Sequence, residues 1–242
     1  MLGLIVVCPP SGGLDPAHLL DAFLGVPLLA RCVGGALPAD QAVAAVVVVP
    51  ADLVERAQET LARFSLDEVE RVVAGGPDRA GMVRTGLEAL PADVDPIIIV
   101  DGSRALIPLG LTDRVIAAAH HTGVAAPAVA LVDEIVAVQD TVSAVESGRL
   151  RVLQGPQVLA RQTLSTVLAS SDHGSEAAAA AALGLAVTLV DGDVDNLVLR
   201  NEADEGRALE VFARRALDYA FLFPRDLLPE DPVAGDPRTA EG

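Results

Sequence analysis

Short, unbroken apolar runs alternate along this chain with longer stretches in which apolar residues recur at helical spacing. Gly3 to Cys8 (GLIVVC), Ala44 to Val49 (AAVVVV), Val69 to Ala74, Pro96 to Val100 (PIIIV), Val124 to Val132 and Ala186 to Val190 have the length and β-branched content of buried strands. Between them, helices are predicted around His18 to Ala36, Ala51 to Arg63, Arg79 to Leu90 and Thr112 to Thr122, the last with Thr112 and Asp113 placed to cap it. Strands that alternate with helices in this way form right-handed βαβ units. The expectation is an α/β fold: a mainly parallel sheet with helices on both faces.

Residues 133–154 break the pattern. Three short alternating segments surround Glu146-Ser147-Gly148, which reads as a hairpin turn, so a protruding two-stranded β-arm is expected. Such an arm is marginal alone, and packing on a second copy of the chain, giving a homodimer, would stabilise it. Helices are then predicted near Gln157 to Ala169, Ser175 to Leu183 and Ala203 to Phe221. A single domain over 1–222 and a disordered acidic tail over 223–242, rich in Pro, Asp and Glu, complete the division.

Composition narrows the function. Aromatic residues are 2% and hydrophobic residues 51%, so the core is built from Val, Leu, Ile and Ala. The net charge of -17 argues against nucleic acid and against an anionic membrane surface as partners. All 17 basic positions are Arg, and the chain contains no lysine. Two cysteines, Cys8 and Cys32, without a secretory pattern, fit reduced thiols and a cytoplasmic location. No apolar stretch reaches the roughly 18 residues of a membrane span.

In an open parallel sheet, ligands gather at the carboxyl ends of the strands. The residues that follow the apolar runs there are Ser11-Gly12-Gly13, Gly75-Gly76-Pro77-Asp78-Arg79, Asp101-Gly102-Ser103-Arg104 and Asp193-Val194-Asp195-Asn196. Glycines after a strand let amides approach a phosphate, and a strand-end carboxylate can hold Mg²⁺ against phosphate oxygens. Taken singly, each of these is equally a turn or a helix cap; their order along the chain points to a nucleotide pocket. His120-His121 lacks partners at zinc-ligand spacing, and Ser171-Asp172-His173 has triad residue types without triad geometry, so neither is assigned chemistry.

Val73 to Leu90 (VAGGPDRAGMVRTGLEAL) resembles the Gly-Gly-x-x-Arg-x-x-Ser-Val-x-x-Gly-Leu block of the 2-C-methyl-D-erythritol 4-phosphate cytidylyltransferases. Ile97 to Ile107 (IIIVDGSRALI) resembles their His-Asp-Ala-Ala-Arg-Pro block, Gln154 to Gln157 their Thr-Pro-Gln, and Asp191 to Asn196 the start of their Gly-x-x-x-Asn-Ile-Lys stretch. The resemblance implies a Rossmann-like nucleotidyltransferase core, a dimer joined by the arm, and attack of a sugar phosphate on the α-phosphate of CTP with Mg²⁺ present. By position it implies nucleotide contacts from Gly12, Gly13, Gly76, Asp78 and Arg79, substrate contacts from Arg104 and Asp133, and metal contacts from Asp101 and Asp195.

The departures fall on cations. His18 and Val198 occupy positions where the family carries lysines, and an Arg expected near Ser147 is absent, with Arg149 and Arg151 close by as substitutes. Met82 replaces a Ser, Glu134 a Thr and Ser175 an Asp. A preorganised donor aimed at transition-state charge is worth about 3 to 4 kcal/mol. Three readings follow: a cytidylyltransferase whose activity is weak or lost, a non-catalytic relative that binds, regulates or dimerises, and a nucleotidyltransferase with another substrate. Arg79, Arg104 and Asp133 could also serve only as strand-end ion pairs.

Overall fold

The computed structural model describes residues 1–9, 15–64, 66–133, 135–138, 142–170 and 174–215. Gly12, Gly13, Glu134, the Ser171 to His173 tripeptide and the acidic 223–242 segment lie outside the described residues.

The elements, in chain order, are β1 (Leu2–Val7), β2 (Ala22–Phe23), β3 (Val26–Pro27), α1 (Leu28–Ala36), β4 (Val43–Val49), α2 (Val54–Leu61), β5 (Val69–Ala74), α3 (Arg79–Ala89), β6 (Ile97–Asp101), α4 (Leu111–Thr122) and β7 (Val124–Ala130). They continue with β8 (Val136–Val138), β9 (Val142–Ala144), β10 (Arg151–Leu153), β11 (Gln157–Leu159), α5 (Arg161–Ser170), α6 (Glu176–Ala182), β12 (Thr188–Asp191) and α7 (Glu202–Arg214). The main sheet runs β10-β7-β11-β6-β1-β4-β5, with β12 also on β7. β1, β4, β5 and β6 pair in parallel, as do β7 and β12, whereas β10 and β11 run antiparallel to their neighbours. The sheet is therefore mixed but mostly parallel.

β7 carries three partners on two edges. Ala125 faces both Val158 of β11 and Thr188 of β12, and Ala128 faces both Leu153 of β10 and Asp191 of β12. β12 therefore takes one edge, while β10 and β11 succeed one another along the other. The central strands are buried end to end, β1 and β4 having no residue exposed. Alternate side chains feed two apolar layers: Leu4, Val6, Ile98 and Val100 pack towards α1 and α4, and Ile5, Val7, Ile97 and Ile99 towards α3, α5 and α6. On the second face α3 lies very close to the sheet, because a Cβ at Gly86 would stand 2.5 Å from Ile5 Cγ2.

Four elements differ from expectation. The predicted helix from His18 to Ala36 is a 3₁₀ turn at Pro16–Leu20, a two-residue hairpin of β2 and β3, and only then α1. Leu24 and Gly25 both have positive φ, 50° and 77°, the geometry of a tight primed turn, and buried Arg31 donates to the Phe23 and Leu24 carbonyls that this turn leaves facing inward. At α4 the cap is Gly110 in the left-handed region, while Thr112 is buried inside the first turn. Gln157 opens a strand rather than a helix, with α5 following at Arg161. The arm hairpin joins β8 to β9; Ser147 to Arg149 is a 3₁₀ turn, and β10 returns to the main sheet.

Candidate active site

Parallel alignment puts the carboxyl ends of β1, β4, β5, β6, β7 and β12 on one edge of the sheet. Because β10 and β11 run the other way, their amino ends, Arg151 and Gln157, reach the same edge. A cleft of about 220 Å³ opens there, lined by Arg79, Asp101, Arg104, Gln154, Gln157 and Val198 among others.

Asp101 is the last residue of β6 and half-buried. Its Oδ1 accepts from the Ser103 amide at 2.9 Å and the Ser103 hydroxyl at 2.5 Å, while Oδ2 faces Arg79 Nη1 at 3.5 Å. Only glycine fits after it, since a Cβ at Gly102 would lie 2.6 Å from the Cys8 sulfur. Cys8 and Cys32 are both free and buried, and burial pushes both thiols up, so they behave as core residues. Cys32 Sγ donates to the Asp101 carbonyl at 3.3 Å, which ties α1 to the end of β6.

Arg79 opens α3. Its Nε and Nη2 donate to Glu176 Oε1 and Oε2 at 3.1 and 3.0 Å. Burial alone would lower the Arg79 pKa, but the Glu176 carboxylate outweighs it with help from Asp101, and the guanidinium is held above its usual value. Arg104 donates through Nη1 to the Asn196 carbonyl at 2.6 Å. Burial is the main reason its pKa is pushed down to about 10; Asp101 opposes that shift, and the positive charges of Arg79 and Arg200 add to it. Arg104 remains a cation at neutral pH, and Arg200 is a third cation of this neighbourhood. Asn196 is itself buried and donates from Nδ2 to the Gly155 carbonyl at 2.7 Å.

The structure thus brings Arg79, Asp101 and Arg104 together, with Val198 on the same cleft. It places the other expected site residues differently. Asp78 caps α3 by accepting from the Gly81 amide at 2.7 Å, and Gly76 lies against Gly81, 3.5 Å from where its Cβ would stand. Asp133 is exposed beside the arm. Asp195 pairs with Arg214 at 2.6 Å and Arg215 at 3.2 Å, and Asp193 with Arg215 at 2.7 Å, so the end of α7 neutralises this turn. Met82, at the family's Ser position, is wholly buried against Val48 and the site of Gly75. Arg151 turns back onto the Gly148 and Leu150 carbonyls. Sequence reasoning missed Glu176, which lies in an alanine run as an ordinary first-turn acid, and the part Ser103 plays in fixing Asp101.

His18 pairs with Glu205 of α7 through Nε2 and with Asp21 at 3.3 Å through Nδ1, and it is not one of the cleft-lining residues. The hydrogen bond that its ring N–H donates to the Glu205 carboxylate raises its pKa above 6.5. A raised pKa stabilises the fold fully below the unfolded value and less as pH rises through the folded value. The wild type is therefore expected to lose stability above about pH 6.5 relative to His18→Asn. The difference should be under about 1 kcal/mol because the ring is partly exposed. Urea midpoints from pH 5.5 to 8.5 measure it, and parallel curves for the two proteins would refute it.

A single carboxylate at a strand end suits Mg²⁺, which keeps waters and takes its remaining ligands from substrate phosphates. Among the described residues no group of three or more His, Cys, Asp or Glu side chains forms a self-sufficient metal cage. No helix among them is long and apolar enough to cross a membrane.

Comparison with known proteins agrees with this geometry. Residues 14–213 match the family model described as 2-C-methyl-D-erythritol 4-phosphate cytidylyltransferase. The enzyme of that name from Streptomyces coelicolor is 34% identical over 235 residues, covering 89% of this chain and 87% of its own. The Streptomyces avermitilis enzyme is 32% identical, covering 89% and 94%. In fold, the chain is similar to the 4-diphosphocytidyl-2C-methyl-D-erythritol synthase of Anaerococcus prevotii, with TM-score 0.71, 17% identity and coverage of 90% and 96%. The Thermus thermophilus cytidylyltransferase gives TM-score 0.67, 23% identity and coverage of 87% and 98%. With the family model and both Streptomyces relatives in agreement, the chain belongs to the 2-C-methyl-D-erythritol 4-phosphate cytidylyltransferase family.

Proposed function

We propose that this chain binds CTP and transfers its cytidylyl group to 2-C-methyl-D-erythritol 4-phosphate at a rate limited by missing cations. The observation that carries this reading is the pair of guanidinium groups, Arg79 and Arg104, that line one cleft with Asp101 at the carboxyl edge of the sheet. A phosphate oxygen of the sugar phosphate attacks the α-phosphorus of CTP, the bond to the β-phosphate bridging oxygen breaks, and pyrophosphate leaves. Arg79 Nη1 and Arg104 meet negative charge on the triphosphate and on the pentacoordinate phosphorus. Mg²⁺, held by Asp101 and phosphate oxygens, would offset the charge of the leaving pyrophosphate. Ser103 keeps the Asp101 carboxylate turned towards the cleft.

Val198 favours the second reading, a non-catalytic relative. It puts an isopropyl group on the cleft where the family carries a lysine, and the Arg79 charge is already balanced by Glu176 and Asp101. Calorimetric titration of CTP with Mg²⁺, followed by pyrophosphate release on adding the sugar phosphate, separates the two. Binding with release supports the first, and binding without release the second. Heat with a different nucleotide only would mean another substrate.

The arm supports self-association. Val132 is 95% exposed, and Ile135, Val136 and Val152 are also exposed, an apolar set that one copy leaves uncovered. A homodimer is expected at micromolar concentration, and a monomer by sedimentation would overturn it.

A further inference from the structure

We propose that Glu176 is a positioning residue that sets which edge of Arg79 meets the nucleotide. This rests on the cytidylyl-transfer reading of the same cleft. Both Glu176 oxygens engage Nε and Nη2 of Arg79 in a fork-to-fork pair, so the guanidinium plane and its tilt are fixed. The one nitrogen outside the fork, Nη1, is the one directed at Asp101. The glutamate side chain is only 5% exposed, so it does not compete with a ligand for space.

The anchoring of Glu176 is itself built into the sheet. Gln157 Oε1 accepts from the Ala177 amide at 2.8 Å, and Ser175 Oγ caps Ala178, so the first turn of α6 is held from below. Gln157 belongs to β11 and pairs with Ile99 of β6, two residues before Asp101. Asp101 and Glu176 are therefore both referred to the same β6–β11 ladder, and Arg79 spans the fixed distance between them. An arginine oriented before the ligand arrives loses less rotamer freedom on binding than a free one.

A bare charge effect would act in the opposite direction, because a nearby carboxylate repels a triphosphate and its removal should tighten binding. Glu176→Gln keeps the length and removes the charge; Glu176→Asp keeps the charge and breaks the fork. CTP affinity with Mg²⁺ is measured by calorimetry for the wild type and both variants, alongside KM and kcat from pyrophosphate release. The ¹⁵N resonance of the Arg79 Nε–H reports the fork independently of turnover. Both variants should bind CTP about tenfold more weakly, with KM rising more than kcat falls, and the Arg79 Nε–H should exchange faster. Glu176→Gln binding CTP as tightly as the wild type, or more tightly, overturns the inference and leaves the proposed function standing. A wild type that takes up no CTP overturns both.

Discussion

Arg79→Met is expected to abolish CTP affinity and to lower the unfolding free energy by about 3 kcal/mol, as breaking a buried ion pair does. The loss of affinity follows from removing one of two guanidinium groups beside Asp101. The stability loss follows from Glu176, which would remain 4% exposed with its carboxylate facing a thioether. Arg79→Met/Glu176→Met removes that uncompensated charge and should recover much of the stability without recovering binding. With no tryptophan in the chain, urea unfolding followed by circular dichroism is the suitable measurement. If single and double variants unfold at the same midpoint, Glu176 is not an energetically demanding partner.

Val198→Lys should act in the opposite direction, raising the rate of pyrophosphate release by about 10²-fold, the usual worth of one preorganised donor. Val198 is half-buried on the cleft with Arg79, Asp101 and Arg104, so a longer side chain there reaches the space the triphosphate would fill. The new ammonium would sit near Arg104 and Arg200, which repel it in the free protein; bound triphosphate relieves that repulsion, so the gain should appear in CTP affinity as well as in rate. Turnover kinetics on the purified variant measure both. A folded Val198→Lys protein without added activity would favour the non-catalytic reading, since the missing lysine would then not be what limits the reaction.

Much of this arrangement is legible in the sequence because each strand of the central sheet announces itself. Val43 to Val49 and Ile97 to Asp101 are β-branched runs ended by Pro50 and Gly102, and the residues after them fall where a parallel sheet gathers ligands. What escapes is whatever tertiary pairing decides. Gln157 to Leu159 is too short to show a period of its own and merges into the amphipathic stretch of α5; it is a strand because β6 and β7 both offer it hydrogen bonds. The region from His18 to Ala36 looks helical by composition, yet the positive φ at Leu24 and Gly25 and the buried Arg31 that donates to the Phe23 and Leu24 carbonyls make a hairpin of its middle. Local propensity is a weak prior against such packing.

The candidate site divides in the same way. Asp101, Arg79 and Arg104 stand out because they end a strand or lie just beyond one. The 97-residue separation between Arg79 and Glu176 hides their pairing, as the sequence also hides that Arg214 and Arg215, at the end of α7, pair with Asp195. Position along the chain shows which carboxylates reach the edge of the sheet, but not which of them are already neutralised.

The arm leaves the sheet after Ala130 and returns at Arg151, and these two residues are direct cross-strand partners. Its two ends are therefore held side by side whatever lies between them, so chain can be added or removed there at little further entropic cost, each doubling of a loop's length adding only about 0.6 kcal/mol. The cleft edge and the excursion can thus diverge separately: selection can lengthen, shorten or recolour the excursion, while the register that holds Gln154, Gln157 and Asp101 in place stays unaltered.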